Sequence, residues 1–390
     1  MEVCNIGIIG YGGFGTFLHN AWSRLDNVRI TAISDPMTEK LQGLNAINTC
    51  ADWRDLIRDP DISLVAIVTE PATHKIIATA CMEAGKHVLI EKPLAITLSD
   101  AKKIIQVRDQ TNTVAAIDFI MRFNPLLQAI RHFSQQGIFG RLRRVDVENY
   151  AQDEQLPPEH WFWNPDRSGG ILIEHAVHFI DLVHFLAPAN VVAVNGLKHS
   201  RNPQQEDQIM ANVLYEGGLI ATHYHSFARP GIFEATTIKL AYDLADIELH
   251  GWIPLWADVK ALVNTKNKQT LLSNPFFEYT GSVPIGQAND ESRPAGRGGT
   301  DNQNQSVMRF IHSGGIRYEA DEIVTGVLQP GRTKQDVYTS CVQDSLLDVL
   351  KKIGHPGHML SAGLETGISS LEVAVRATES AKHCHFTLVN

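Results

Sequence analysis

The stretch VCNIGIIGYGGFGTFLHNAW, residues 3–22, decides how the rest of the chain is read. An apolar run over 3–9 leads into GYGGFG at 10–15, and a segment with helical spacing follows over 14–25. Gly10, Gly12 and Gly15 fit G-x-G-x-x-G between a strand and a helix, the setting in which that pattern binds a dinucleotide. Gly10 permits the tight turn, and Gly12 lets the backbone approach a pyrophosphate. Gly15 lets the helix pack on the strand, so that the free N–H groups of its first turn face the anion. Asp35 lies twenty residues beyond Gly15, at the end of the second apolar run. A carboxylate there accepts both ribose hydroxyls of NAD and repels the extra phosphate of NADP, so NAD is the expected cofactor.

Outward from this unit, apolar runs recur at 28–33, 64–68, 87–90 and 114–117, and helical patterns occupy 37–44, 73–84 and 97–109. Thr73 is placed to cap the third helix and Gly85 to end it. Such alternation predicts a doubly wound parallel sheet with helices on both faces. From about residue 143 the rhythm changes. A helix pattern over 171–186 precedes strand-like runs at 191–199, 207–215, 219–227 and 234–249, which predict an antiparallel sheet. Residues 281–305 are nearly all polar and turn-forming, so a long surface loop or flap is expected. Two helices close the chain. One, near 335–352, buries Val337, Cys341, Leu346, Val349 and Ile353; the other, near 362–382, carries Leu364, Ile368, Leu371 and Val375.

Composition narrows the class. The 390 residues hold 44% apolar and 20% charged side chains, enough for a real core. A net charge of −9 gives no electrostatic footprint for nucleic acid or anionic lipid. Cys4, Cys50, Cys81, Cys341 and Cys384 are scattered with no C-x-x-C pair, which argues against a zinc ribbon or a disulfide framework and fits a reducing compartment. Charge or histidine interrupts the longest apolar stretches before membrane-spanning length, and the first strand begins at Val3 with no leader expected before it. A soluble cytoplasmic protein is the expectation.

Two further clusters carry chemistry. Glu91-Lys92-Pro93 follows the apolar run 87–90, and the carboxyl ends of parallel strands face the ligand crevice. A lysine there can bond a substrate hydroxyl and stabilise alkoxide charge; the bland alternative is a surface lysine before a turn. In SGGILIEHAVHFIDL at 168–182, helical spacing puts Glu174, His178 and Asp181 on one face. Glu174 would then orient His178 as a base, unless the three form only a solvated polar stripe. His175 and His178 are three apart with no local third ligand, so no metal site is expected. Arg141, Arg143 and Arg144 read as a solvated strand edge. Trp161, Phe162 and Trp163 read as packing, with stacking on a sugar as the alternative. His223 and His225 share one strand face and suit either a substrate side or a sheet interface.

Taken in order, IGIIGYGGFG, TEPATH, CMEAGKHVLIEKPLA, MRFNP at 121–125, GIFGRLRRV at 137–145 and the helix at 169–181 resemble the Gfo/Idh/MocA oxidoreductases. The resemblance covers most of the chain. It implies an N-terminal Rossmann domain over 1–122 and a C-terminal α/β domain over 123–390 with a large open, mainly antiparallel sheet. It also implies a homodimer or homotetramer associating through that sheet. Lys92 corresponds to the family's substrate-binding and catalytic lysine, and His178 to its usual proton acceptor. Glu174 stands where Asp is usual, His175 where a small or hydrophobic residue is common, and Glu70 where Pro often precedes Pro71. The cofactor contacts implied are Gly10, Gly12, Gly13, Phe14, Gly15, Asp35, Thr69, Pro71, His74, Glu91 and Lys92, with a capping or structural role as the other reading of His74. The Lys92-Pro93 bond is expected to be cis.

The function expected from residues and resemblance together is NAD-dependent oxidation of a secondary hydroxyl of a polyol, sugar, cyclitol or glycoside. Two other readings share these motifs. One is a glycoside-cleaving enzyme that uses NAD transiently through oxidation and elimination. The other is a non-enzymatic NAD-binding regulator, against which the presence of Lys92 and His178 argues.

Overall fold

Six strands form the first sheet: β1 (Cys4–Ile9), β2 (Val28–Ser34), β3 (Asn48–Cys50), β4 (Leu64–Ile67), β5 (His87–Ile90) and β6 (Ala115–Ile117). All pair in parallel, in the order β3-β2-β1-β4-β5-β6. This is the doubly wound arrangement read from the sequence, with the strand order reversing between β1 and β4. The computed structural model describes residues 3–152, 156–285 and 310–383. Every residue of β4 is buried, because helices cover both faces of the sheet. These include α1 (Gly13–Trp22), α2 (Trp53–Ile57), α3 (His74–Glu83) and α4 (Leu98–Thr111).

Local departures have local causes. The helix expected over 37–44 is one 3₁₀ turn, Thr38–Leu41, in which only Leu41 is buried, so no apolar face holds a longer helix. β3 and α2 fall where no strand or helix pattern is expected; Asp52 caps α2 by accepting the N–H of Arg54. Thr73 does not cap α3, since its hydroxyl bonds back to the Glu70 carbonyl at 2.7 Å.

Beyond β6 lie α5 (Pro125–Gln135), β7 (Leu142–Gln152), α6 (Pro165–Ser168) and α7 (Val177–Leu186). The second sheet adds β8 (Val191–Asn202), β9 (Gln205–Tyr215), β10 (Ile220–Arg229), β11 (Ala235–Tyr242), β12 (Ala245–His250) and β13 (Trp256–Val263). After α8 (Thr265–Ser273) come β14 (Phe277–Pro284), a separate hairpin of β15 (Phe310–Ser313) and β16 (Ile316–Glu319), and then β17 (Glu322–Leu328). The nine strands run β14-β17-β13-β12-β11-β7-β10-β9-β8, antiparallel except for the β7–β10 pair. The run expected as one strand over 234–249 is therefore two, folded between Tyr242 and Ala245. Of the loop expected over 281–305, residues 281–284 belong to β14 and 286–305 lie outside the described residues.

Two helices close the chain, α9 (Lys334–Gly354) and α10 (Leu364–Lys382). α10 and α7 pack on the inner face of the second sheet. α9 instead returns to the first sheet, where Val342 and Leu346 join a cluster with Ile6, Ile8 and Leu18. Trp22 also donates its Nε1–H to the Val342 carbonyl at 2.9 Å. The expected boundary at 122/123 is thus crossed by α9, which completes the core of the N-terminal domain. Cys4, Cys50, Cys81 and Cys341 are free thiols, and Cys384 lies outside the described residues. One described stretch, Pro165–Leu186, has the length and hydropathy of a membrane span, but 72% of its apolar window is buried inside the fold.

Asp181 ties α7 to the segment leaving β6. Both of its oxygens accept from Arg122 at 2.7 Å, and Arg122 also reaches the Ser361 carbonyl at 2.9 Å. Asp181 is 1% exposed, so it anchors the helix internally and is not part of the polar face read from the sequence. Asp181→Asn should cost about 3–5 kcal/mol of stability in denaturant unfolding, because it leaves a buried guanidinium uncompensated. A loss below about 1 kcal/mol, the range of exposed pairs, would contradict this role.

Candidate active site

A cavity of 1120 Å³ opens at the carboxyl ends of the parallel strands, where a sheet of this type binds its ligand. The glycine turn shapes one wall. Gly10 has φ +97°, and a Cβ there would collide with the Val68 carbonyl; at Gly15 it would collide with the Gly10 carbonyl. At Gly12 and Gly13 a Cβ would meet nothing within 4 Å, so bare backbone borders the cavity. No side chain caps the N-terminus of α1, leaving its N–H groups for an anion. Asp35 closes the far end, its Oδ2 accepting from the Tyr11 N–H at 2.8 Å and its Oδ1 from the Met37 N–H at 2.9 Å. Room, anion donors and a ribose acceptor together fit a dinucleotide.

Of the expected cofactor residues, Gly10, Gly12, Gly13, Phe14, Gly15, Asp35, Thr69, Pro71, Glu91 and Lys92 all line this cavity. His74 does not. It is fully buried, with its ring nitrogens 2.7 Å from the Pro93 carbonyl and 3.0 Å from the Thr69 carbonyl. It therefore braces the Thr69 turn against the Lys92-Pro93 segment, whose peptide bond is cis.

The opposite wall comes from the second domain. Leu172–Ala176 forms a π-helical turn leading into α7, and it carries Glu174 and His175. Lys92 Nζ donates to the Glu174 carboxylate and to the Glu174 carbonyl, both at 2.8 Å. Burial pushes the Glu174 carboxyl up, but Lys92 together with His175 and His74 outweighs it and the net direction is down. The sequence reading had Glu174 orienting His178; the structure pairs it with Lys92, because the wider turn takes Glu174 out of α-helical register with His178. His178 lines the same cavity, with its Nδ1 enclosed and without a hydrogen-bond partner among the described residues. Burial holds its imidazole well below the usual range, and the charge of Lys92 adds to the shift.

Under Lys92, Glu91 and Asp118 form a buried carboxyl pair. Burial and the adjacent Asp118 push Glu91 well above the usual range, while Asp118 accepts from the Ser345 hydroxyl. His175 turns away from the cavity, bonding Asn149 at 2.9 Å, and burial lowers its pKa to about 4. His223 and His225 are fully buried on the inner sheet face rather than at the substrate side, and their four ring nitrogens have no partner among the described residues. No group of three or more potential metal ligands occurs among the described residues.

Trp161 lines the cavity, whereas Phe162 and Trp163 are buried beside Phe227. Of the arginine run, Arg143 chelates the buried Asp243, while Arg144 pairs with Asp146 at the surface. Sequence reasoning missed Lys40, Trp53, Arg54, Asp118, Trp252 and Tyr338, which also line the cavity. Asp118 ends β6 and Lys40 follows Asp35 by five residues, so position alone could have flagged both. Trp252 and Tyr338 come from distant segments with no local signal.

Fold and cavity together define a two-domain dinucleotide-binding protein whose second domain presents a carboxylate and an imidazole to a cofactor-side lysine. Residues 4–119 match the oxidoreductase family with an NAD-binding Rossmann fold, and residues 127–239 match the GFO/IDH/MocA C-terminal domain. The chain belongs to the Gfo/Idh/MocA oxidoreductase family.

Among relatives, it is 28% identical over 220 residues to levoglucosan dehydrogenase of Pseudarthrobacter phenanthrenivorans, covering 53% of this chain and 56% of that one. It is 24% identical over 224 residues to scyllo-inositol 2-dehydrogenase (NAD(+)) of Bacillus subtilis, covering 54% and 64%. The chain thus spans between half and two thirds of the curated relatives it matches. A solved levoglucosan dehydrogenase in complex with NADH and L-sorbose superposes with a TM-score of 0.74 at 19% identity, over 98% of this chain and 97% of that one, which shows the shared fold.

The electrostatics of the site can be read directly. Burial and the Lys92 ammonium both disfavour imidazolium at His178, so nitrogen NMR should find its protonation midpoint well below that of a free imidazole. Lys92→Met should raise its protonation midpoint. An unchanged midpoint would show that the ammonium does not act on the ring.

Proposed function

We propose that this protein is an NAD-dependent dehydrogenase oxidising a secondary hydroxyl of a sugar, cyclitol or glycoside. The observation that carries the reading is the Lys92–Glu174 pair at 2.8 Å, in one cavity with His178, whose Nδ1 has no hydrogen-bond partner among the described residues. A bound nicotinamide dinucleotide supplies the hydride acceptor.

This chain's residues do the rest. Gly12, Gly13 and the start of α1 hold the pyrophosphate, and Asp35 holds the adenosine ribose. The Lys92 ammonium donates to the substrate oxygen and stabilises its developing negative charge. His178, neutral near pH 7, takes the hydroxyl proton. Glu174 acts through Lys92, fixing the ammonium between the two domains. The names of the dehydrogenases it resembles, acting on levoglucosan and scyllo-inositol, support a polyhydroxylated substrate.

The reading includes a cytoplasmic setting, which the free thiols support. It also includes a homodimer or homotetramer built on the outer face of the large sheet, where Leu214, Ile220 and Trp256 are exposed. Light scattering should give a multiple of 43.2 kDa, and a monomer mass would refute the assembly.

Purified protein with NAD and a panel of inositols, monosaccharides and glycosides should accumulate NADH with one of them. Product mass should show the loss of two hydrogens. Cleavage of a glycoside without NADH accumulation would instead establish transient oxidation. His178→Ala should lower kcat roughly 10²–10⁴-fold with little change in NAD affinity. Unchanged turnover would remove the histidine from the mechanism.

A further inference from the structure

Glu174 fixes the Lys92 ammonium, and two further carboxyls act on the backbone that carries it. β5 and β6 pair in parallel with Ile90 opposite Ile117, so Glu91 and Asp118, the next residue of each, emerge side by side. The Asp118 N–H still bonds the Ile90 carbonyl at 2.8 Å. Both residues line the cavity wall, at 9% and 1% exposure. Each carboxyl has one oxygen accounted for. Glu91 Oε2 accepts the Lys92 N–H at 3.1 Å, and Asp118 Oδ1 accepts the Ser345 hydroxyl from α9. The other two, Glu91 Oε1 and Asp118 Oδ2, are enclosed with no donor among the described residues. The side chains nonetheless hydrogen-bond each other. An ionised carboxylate only accepts, so a bond between two of them needs a hydrogen that one must carry. The titratable groups facing the pair are Lys92 beside Glu91, and Tyr338 and Cys341 from α9. Lys92 is the one cation of these, and Glu174 already matches it. Two carboxylates so placed and desolvated do not both stay ionised, and the upward shift of both fits this.

We propose that Glu91 and Asp118 hold one proton between them and, with Ser345, act as positioning residues for Lys92. The shared proton closes a chain of hydrogen bonds from Ser345 on α9 through Asp118 and Glu91 to the Lys92 N–H. The Lys92 side chain then carries the chain on to Glu174 in the second domain. Without the proton, two adjacent like charges would repel and shift the backbone from which the ammonium is aimed. A misplacement of about 1 Å at a reacting group costs roughly 10²-fold in rate. The positioning role rests on the dehydrogenase reading, whereas the shared proton is a property of the protein without cofactor.

Infrared spectroscopy of the full chain without cofactor, near neutral pH, tests the proton. The native spectrum should contain a protonated-carboxyl band that Asp118→Asn removes and that Glu91→Gln removes as well. In each variant the new amide supplies the N–H, and the remaining acid ionises. Turnover on the substrate found in the panel tests the positioning. Asp118→Ala leaves Glu91 Oε1 without a donor and should lower kcat roughly 10- to 100-fold. Asp118→Asn should recover most of that loss, because its amide donates to Glu91. Should Asp118→Ala fail to fold, Asp118→Asn and Glu91→Gln still decide the matter by infrared. A native spectrum without the band, or a band that survives either substitution, would overturn the shared proton. Asp118→Asn as slow as Asp118→Ala, or Asp118→Ala as fast as the native protein, would overturn the positioning role. A native protein that oxidises nothing in the panel would overturn the dehydrogenase reading and that role with it, while the infrared result decides the proton by itself.

Discussion

An ammonium and a carboxylate brought together at the seam of two domains set the terms for the rest of this structure. Lys92 and Glu174 are 82 residues apart in sequence, and their side chains are only 15% and 14% exposed. Removing either partner would leave a largely desolvated charge, so the pair fixes where the π turn sits relative to β5. The same ammonium helps hold His178 in its neutral form. One contact thereby joins domain placement to the electrostatics of the enclosed imidazole beside it.

The parallel sheet was legible in the sequence because burial on both faces writes each strand as an unbroken apolar run, as in LVAI of β4. GYGGFG was legible because only glycine tolerates the backbone of Gly10 and the close packing of Gly15. β3, a three-residue NTC strand with Asn48 and Thr49 exposed, has no such signature. The break between β11 and β12 was less visible, since it shows only as a one-residue change of phase in the apolar alternation, from Leu244 to Ala245.

The site was legible as far as it lies on strand ends and helix starts. Lys92, Glu174 and His178 do share one cavity, but which of them touch depended on the π turn, which spacing arguments for an α-helix cannot foresee. His74 shows the converse case. Its place beside the cofactor turn resembled a ligand contact, whereas full burial and two backbone carbonyls make it a brace. Tyr338 reaches the cavity because α9 crosses back to the first sheet, an outcome of tertiary packing that residues 334–354 do not encode locally.

A crystal structure of the protein soaked with NAD tests the central claim most directly. The account predicts the pyrophosphate over Gly12 and Gly13 and the nicotinamide ring against the Lys92 side chain, with His178 facing the same side of the cavity. A dinucleotide whose reactive ring lies away from Lys92, or whose binding separates Lys92 from Glu174 and turns His178 toward bulk water, would contradict it.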